Sequence, residues 1–190
     1  MQHLLAEIKK CTICSPFLAH GVNPVVSAHS KSKIAIIGQA PGSVVHKSGI
    51  PWKDKSGERL RQWLDVGDDQ FYDPEIFAII PMGFCYPGKG KSGDLPPRPE
   101  CAEKWHKVLF DRLNHLEFIP LIGTYAQQYY LQKRTKNTLT ETVRSYKEYL
   151  PQFLPLPHPS PSNNIWLRKN EWFEDSVLAA LREQVIELIK

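Results

Sequence analysis

Three short apolar runs, each separated from the next by stretches of helical spacing, constrain this chain more than any other feature. Lys33–Gly38 (KIAIIG) is short, rich in β-branched residues and closed by glycine, which predicts a buried strand. Phe77–Ile80 and Phe118–Ile122 predict two more. Ser56–Leu64 predicts a helix, with Ser56 as candidate N-cap, Leu60, Trp63 and Leu64 on its apolar side, and Gly67 as its stop. Glu100–Leu116 carries Ala102, Trp105, Leu109, Leu113 and Leu116 at helical spacing. Thr124–Leu131 predicts a shorter helix, and the last segment places Leu178, Leu181, Val185 and Leu188 on one face. Strands separated by helices imply an α/β fold whose mostly parallel sheet is covered on both faces. Ligands of such sheets bind beyond the carboxyl ends of the strands, so the loops after each strand are where chemistry is expected.

The length of 190 residues fits a single domain with its own core. No apolar run approaches the roughly 18 residues of a membrane-spanning helix, and the first residues, MQHLLAEIKKCTIC, have no secretory core, so a cytoplasmic location and no membrane partner are expected. Basic residues (24) exceed acidic ones (20) by only +4, which permits a nucleic-acid partner without arguing for one. Sixteen prolines are an excess, and they cluster in Leu95–Pro99 and Pro151–Pro161. Those stretches are expected to be shaped loops, since proline breaks helix interiors and central strands.

Two loops concentrate reactive groups. After the first strand, Gly38-Gln39-Ala40-Pro41-Gly42 forms a tight turn whose backbone amides can face an anion or a carbonyl-rich ring. It has neither the third glycine of a dinucleotide fingerprint nor the Lys-Ser/Thr of a P-loop. The loop is expected to continue through His46, Lys47, Trp52, Lys53 and Asp54 to the Ser56 helix, where Asp54 is also a candidate cap. The second loop, Pro155–Asn164, holds His158 between two prolines, a stiff mount for an imidazole. The four cysteines form two pairs, Cys11/Cys14 as C-x-x-C and Cys85/Cys101 across a Lys- and Pro-rich loop. In a chain without an export signal they are expected to be reduced, and two pairs suit a four-thiolate metal site, zinc included.

GQAPG after the first strand and HPSPSN near the C-terminus resemble the two motifs of the uracil-DNA glycosylase superfamily. The segment Gly49–Gly57 (GIPWKDKSG) is similar to the one that follows the first motif in the iron–sulfur branch, family 4. The resemblance spans about residues 11–168. It implies a single α/β/α domain around a four-stranded sheet, and a monomer that flips a deaminated base out of DNA, most commonly uracil, and hydrolyses its N-glycosidic bond. It also implies a 4Fe-4S cluster on Cys11, Cys14, Cys85 and Cys101, with zinc the alternative.

The resemblance further implies a role for each loop residue. His158 would stabilise the developing charge on the base, Trp52 would stack on it in place of the usual Phe, and Gly38, Ala40, Pro41 and Gly42 would line its pocket. Lys47, Lys53, Ser160 and Ser162 would grip DNA phosphates, together with Lys55, Lys89 and Lys91. A residue of Ser162–Trp166 would wedge into the duplex. Two positions depart from the family pattern. Gln39 stands where family 4 has an acid, and an amide orients a water but cannot take its proton. Asp54, or secondarily His46, is expected to supply that function. Pro81 stands where an Asn reads the uracil edge, which leaves base reading to the Met82 or Gly83 backbone or to Asn163. Rival expectations are excision of hypoxanthine or xanthine, and a non-catalytic DNA-binding iron–sulfur module on the same scaffold.

Overall fold

The computed structural model describes residues 1–190. After helix α1 (Gln2–Lys9) and a long irregular segment, strand β1 (Ile34–Ile36) enters the centre of the molecule. Helices α2 (Ser43–Ser48), α3 (Lys55–Leu64) and α4 (Asp68–Phe71) follow, then strand β2 (Phe77–Ile79) and a small hairpin of β3 (Lys89–Gly90) and β4 (Gly93–Asp94). Helix α5 (Pro99–Cys101) continues through a widened π turn (Ala102–His106) into α6 (Lys107–Phe110). Strand β5 (Ile119–Ile122), helices α7 (Thr124–Leu131) and α8 (Leu139–Arg144), strand β6 (Phe153–Leu156), and helices α9 (Asn164–Lys169) and α10 (Ala179–Ile189) complete the chain.

The four long strands are parallel, and a single antiparallel bridge from Ser27 to Ile79 lies on the outer side of β2. β1 pairs with β2 (Ile34 with Phe77) and β5 with β6 (Ile119 with Phe153). Bridges from Ile34 to Phe118 and from Ile37 to Leu121 join the two pairs, giving the order β2-β1-β5-β6. Pro120 lies on that seam and has no N–H to donate to β1, so the seam is two separated bridges instead of a continuous ladder. Alternate side chains serve opposite faces. Ala35, Ile37, Ala78, Ile80, Ile119 and Leu121 pack against α1, the 99–110 helix and α7. Ile34, Ile36, Phe77, Ile79, Phe118 and Ile122 pack against α3, α8 and α10. Each buried Leu or Ile contributes about 1.5–3 kcal/mol, so the two faces are what hold the strands in register. The domain is thus a three-layer α/β/α sandwich, and no helix in it is long and apolar enough to cross a membrane.

Several sequence expectations need correction. The proline-rich stretch after residue 151 is not all loop, because Phe153–Leu156 forms β6. Proline fits there because β6 is an edge strand. The carbonyls of Gln152 and Leu156 face β5, so the nitrogen of the intervening Pro155 points to the open side. Residues 43–48 form α2 instead of a loop, with Gly49 as its left-handed cap (φ 68°). The N-cap of α3 is Asp54, not Ser56, and the helix stops at Asp65 (φ 56°), while Gly67 begins α4. The helix expected to run to Leu116 ends at Phe110. There the backbone tightens, with Arg112 and Leu113 bonding only three residues back. Leu113 still reaches the core from this turn, which is why its spacing reads as helical.

Candidate functional site

The carboxyl ends of the strands open into one cleft of about 490 Å³. The turn after β1 (Gly38–Gly42), Pro81 after β2, and His158, Ser160, Ser162 and Asn163 after β6 line it. Trp52 and Asp54 reach it from the loop before α3, and Lys89 and Asp94 reach it from the β3–β4 hairpin. Thus the first turn, the indole, one carboxylate and the C-terminal histidine come together from segments more than one hundred residues apart in sequence. His46, Lys47 and Lys53 do not line the cleft. His46 directs Nε2 at the His20 carbonyl (3.1 Å), its ring lies 6.0 Å from that of Tyr86, and its buried Nδ1 has no hydrogen-bond partner. Lys47 and Lys53 are exposed.

Trp52 is held by close backbone contacts. It has φ 55°, a left-handed conformation that is costly for a bulky residue. The surroundings impose it. A Cβ on Gly38 would lie 2.9 Å from Trp52 Cζ2, and one on Gly57 would lie 1.7 Å from the Trp52 carbonyl oxygen. That oxygen also accepts from Arg61 (3.3 Å). The indole therefore rests on the first turn at Gly38, with its ring 5.7 Å from the His158 ring.

His158 is equally fixed. Its Nδ1 accepts from the Ser160 backbone N–H (3.2 Å), and its carbonyl accepts from Asn163 Nδ2 (2.8 Å). Arg59 donates to the Ser160 carbonyl (3.1 Å), tying this loop to α3. With Nδ1 accepting, the neutral ring carries its proton on Nε2. Burial pushes the His158 pKa down, against the pull of Asp54 and Asp94. At neutral pH the ring is therefore an uncharged donor, preorganised to hydrogen-bond an oxygen that is gaining charge.

Asp54 Oδ1 accepts from Gly57 N–H (2.8 Å), the capping bond of α3, and this orients the carboxylate at the cleft. Gln39 Nε2 reaches the Leu95 carbonyl at 3.4 Å, docking the hairpin on the first turn. Two expected base readers are occupied. The Met82 and Gly83 N–H groups donate to the Gly38 and Gln39 carbonyls (2.8 and 2.9 Å). Asn163 commits one N–H of its amide to the His158 carbonyl, leaving its second N–H and its oxygen free. The carbonyl of Pro81 is likewise held from behind by His106 Nε2 (3.0 Å). Lys89 and Asp94 are the cleft residues whose position the sequence hid. No spacing rule indicates that a two-residue hairpin folds back over the first motif.

Cys11, Cys14, Cys85 and Cys101 line one small apolar pocket with Leu18, Phe84 and Arg98, away from the cleft. All four are free thiols. Phe84 N–H donates to the Cys101 sulfur (3.5 Å). Burial, followed by weaker effects that include the neighbouring cysteines, pushes the Cys101 thiol up to about 12 and raises Cys85. Cys14 is raised by burial and by Glu100. No three of these side chains stand at the spacing of a single metal ion. Three buried thiols and the half-buried Cys11 around one pocket nevertheless form a donor set whose ionised forms need a cationic centre beside them. A sequence model described as the uracil DNA glycosylase superfamily matches residues 25–182, which takes in the sheet, the cleft and both motif loops.

Proposed function

The chain belongs to the uracil DNA glycosylase superfamily, and from that premise we propose that it excises a deaminated base from DNA, with uracil the first candidate. The convergence of the Gly38–Gly42 turn, Trp52, Asp54 and His158 in one cleft carries the proposal. Breaking an N-glycosidic bond leaves negative charge on the base and positive charge on the sugar, and the base must first leave the stack at a cost of a few kcal/mol. Trp52 offers the flipped base a stacking face. His158 Nε2–H donates to the carbonyl oxygen on which charge collects, work for which one donor is worth about 10²–10³ in rate. The free oxygen of Asp54 accepts the proton of the attacking water. Pro81 provides no base-edge donor, and this favours hypoxanthine or xanthine as alternative substrates.

At the rim of the cleft, Lys89, Ser160 and Ser162, with the exposed Lys91 beside them, are the candidate phosphate contacts. The wedge residue is Ile165, which is 60% exposed on α9, whereas Trp166 is anchored through its Nε1 to Thr140 (2.8 Å). We assign the cysteine pocket to a 4Fe-4S cluster, with zinc second. When bound it would supply a covalent staple between the N-terminal segment and the two ends of the Cys85–Cys101 loop. Iron and labile sulfide analysis of anaerobically purified protein tests the cluster. The reaction is tested on single- and double-stranded oligonucleotides bearing uracil, hypoxanthine or xanthine, with wild type, His158→Ala and Asp54→Asn. Release of one of these bases by wild type, and at least a hundredfold less by His158→Ala, is expected. Equal background release by wild type and His158→Ala on every lesion would instead identify a non-catalytic DNA-binding module.

A further inference from the structure

The hairpin between Cys85 and Cys101 carries a second carboxylate into the cleft. Gln39, in the first turn, has no charge to offer, and its amide donor is directed at the Leu95 carbonyl (3.4 Å). That contact lays the hairpin across the turn. A Cβ on Gly42 would lie 3.7 Å from Asp94 Oδ2, an ordinary contact distance, so the carboxylate stands directly against the first turn. The other oxygen, Oδ1, is 3.4 Å from the Tyr86 hydroxyl that donates to it. Leu95 N–H donates to the Gly88 carbonyl (2.9 Å), and Lys89 pairs with Asp94 across the strands, so the hairpin fixes where Asp94 stands. The cleft contains two carboxylates, Asp54 and Asp94, and both act on the His158 imidazole.

We propose that Asp94 is a second carboxylate of the excision reaction, remaining ionised to stabilise the cationic sugar while Asp54 takes the proton. This inference rests on the glycosylase reading. In the step, the bond from the sugar C1′ to the base nitrogen breaks and its electron pair leaves with the base, whose oxygen is held by His158. Water forms the new C1′–O bond and passes one proton to Asp54. Asp94 exchanges no proton, and its charge opposes the positive charge on the sugar. The cysteine-bounded hairpin is then an active-site element as well as a DNA-facing loop. Because Asp94 is exposed in the free protein, its removal costs less than that of a buried donor, about tenfold in kcat.

Asp94→Asn is isosteric and lies at the surface, so it tests charge without disturbing the fold. Its kcat is expected to fall about tenfold on the preferred lesion, with KM unchanged and the acid limb of the pH profile retained. Asp54→Asn, by contrast, loses the acid limb of that profile. A readout that needs no turnover accompanies this. The NMR titration midpoint of His158 is expected to move to lower pH in Asp94→Asn, because one of the two carboxylates that raise it has gone. Asp94→Asn with kcat within twofold of an active wild type overturns the proposal, as does an unmoved His158 midpoint. A wild type that excises no base overturns the glycosylase reading, and this proposal with it, whatever the His158 titration shows.

Discussion

His106 is 2% exposed, and both its ring nitrogens are engaged, Nε2 with the Pro81 carbonyl (3.0 Å) and Nδ1 with the Tyr130 hydroxyl (2.7 Å). Since Pro81 lines the cleft, this buried ring is part of the wall behind it. Burial pushes its pKa down to about 4. In the unfolded chain the ring returns to about 6.5 and takes up a proton more readily than in the fold. The depressed value therefore adds a stability cost that grows as pH falls below 6.5 and levels off below 4. Lowering the pH from 7 to 5 should cost about 2 kcal/mol through this group alone. Urea unfolding of wild type and His106→Gln at both pH values measures it. The variant is expected to be less stable at pH 7 but to lose about 2 kcal/mol less on acidification. Equal losses in the two proteins would refute the assignment of a neutral, desolvated His106. Any contribution from His158, whose pKa is also pushed down, is common to both and cancels.

Gly38→Ala places a methyl 2.9 Å from Trp52 Cζ2, so the indole must shift. A stability loss of about 1–3 kcal/mol and a larger proportional loss of excision than of folded protein are expected from unfolding curves and single-turnover rates. Asp54→Ala removes the cap of α3 and should lower stability by about 1 kcal/mol. Asp54→Asn keeps the cap, and calorimetry should find it near wild type while excision falls about 10²–10⁴-fold. Cys101→Ser should lose bound iron and make the Lys89 and Lys91 peptide bonds more sensitive to trypsin, because the loop's second anchor has gone; unchanged iron content would remove Cys101 from the ligand set.

The fold class was legible because burial on both faces leaves a plain mark on sequence. Ile34–Ile37 and Phe118–Ile122 are apolar without interruption, as strands covered on both sides must be, and Leu60, Trp63 and Leu64 recur at helical spacing. β6 was not legible, because Pro155 suits an edge strand and no local property shows that a strand lies at an edge. The residues of the cleft stood out individually by type. The structure brought His158, Trp52 and Asp54 together, sent His46 away toward His20, and added Asp94 from a hairpin only four paired residues in size.

The sequence by itself determined which residues are apolar and at what period, where proline and glycine interrupt them, and which side chains can move a proton or carry charge. Those are local chemical properties, present before the chain folds. Tertiary structure alone decided which of these groups face one another. The strand order β2-β1-β5-β6, the seating of Trp52 on Gly38 and the crossing of Asp94 over Gly42 depend on contacts between distant segments. Such contacts are fixed by packing and closure of the whole chain, so the cleft came from folding and its chemistry from the sequence.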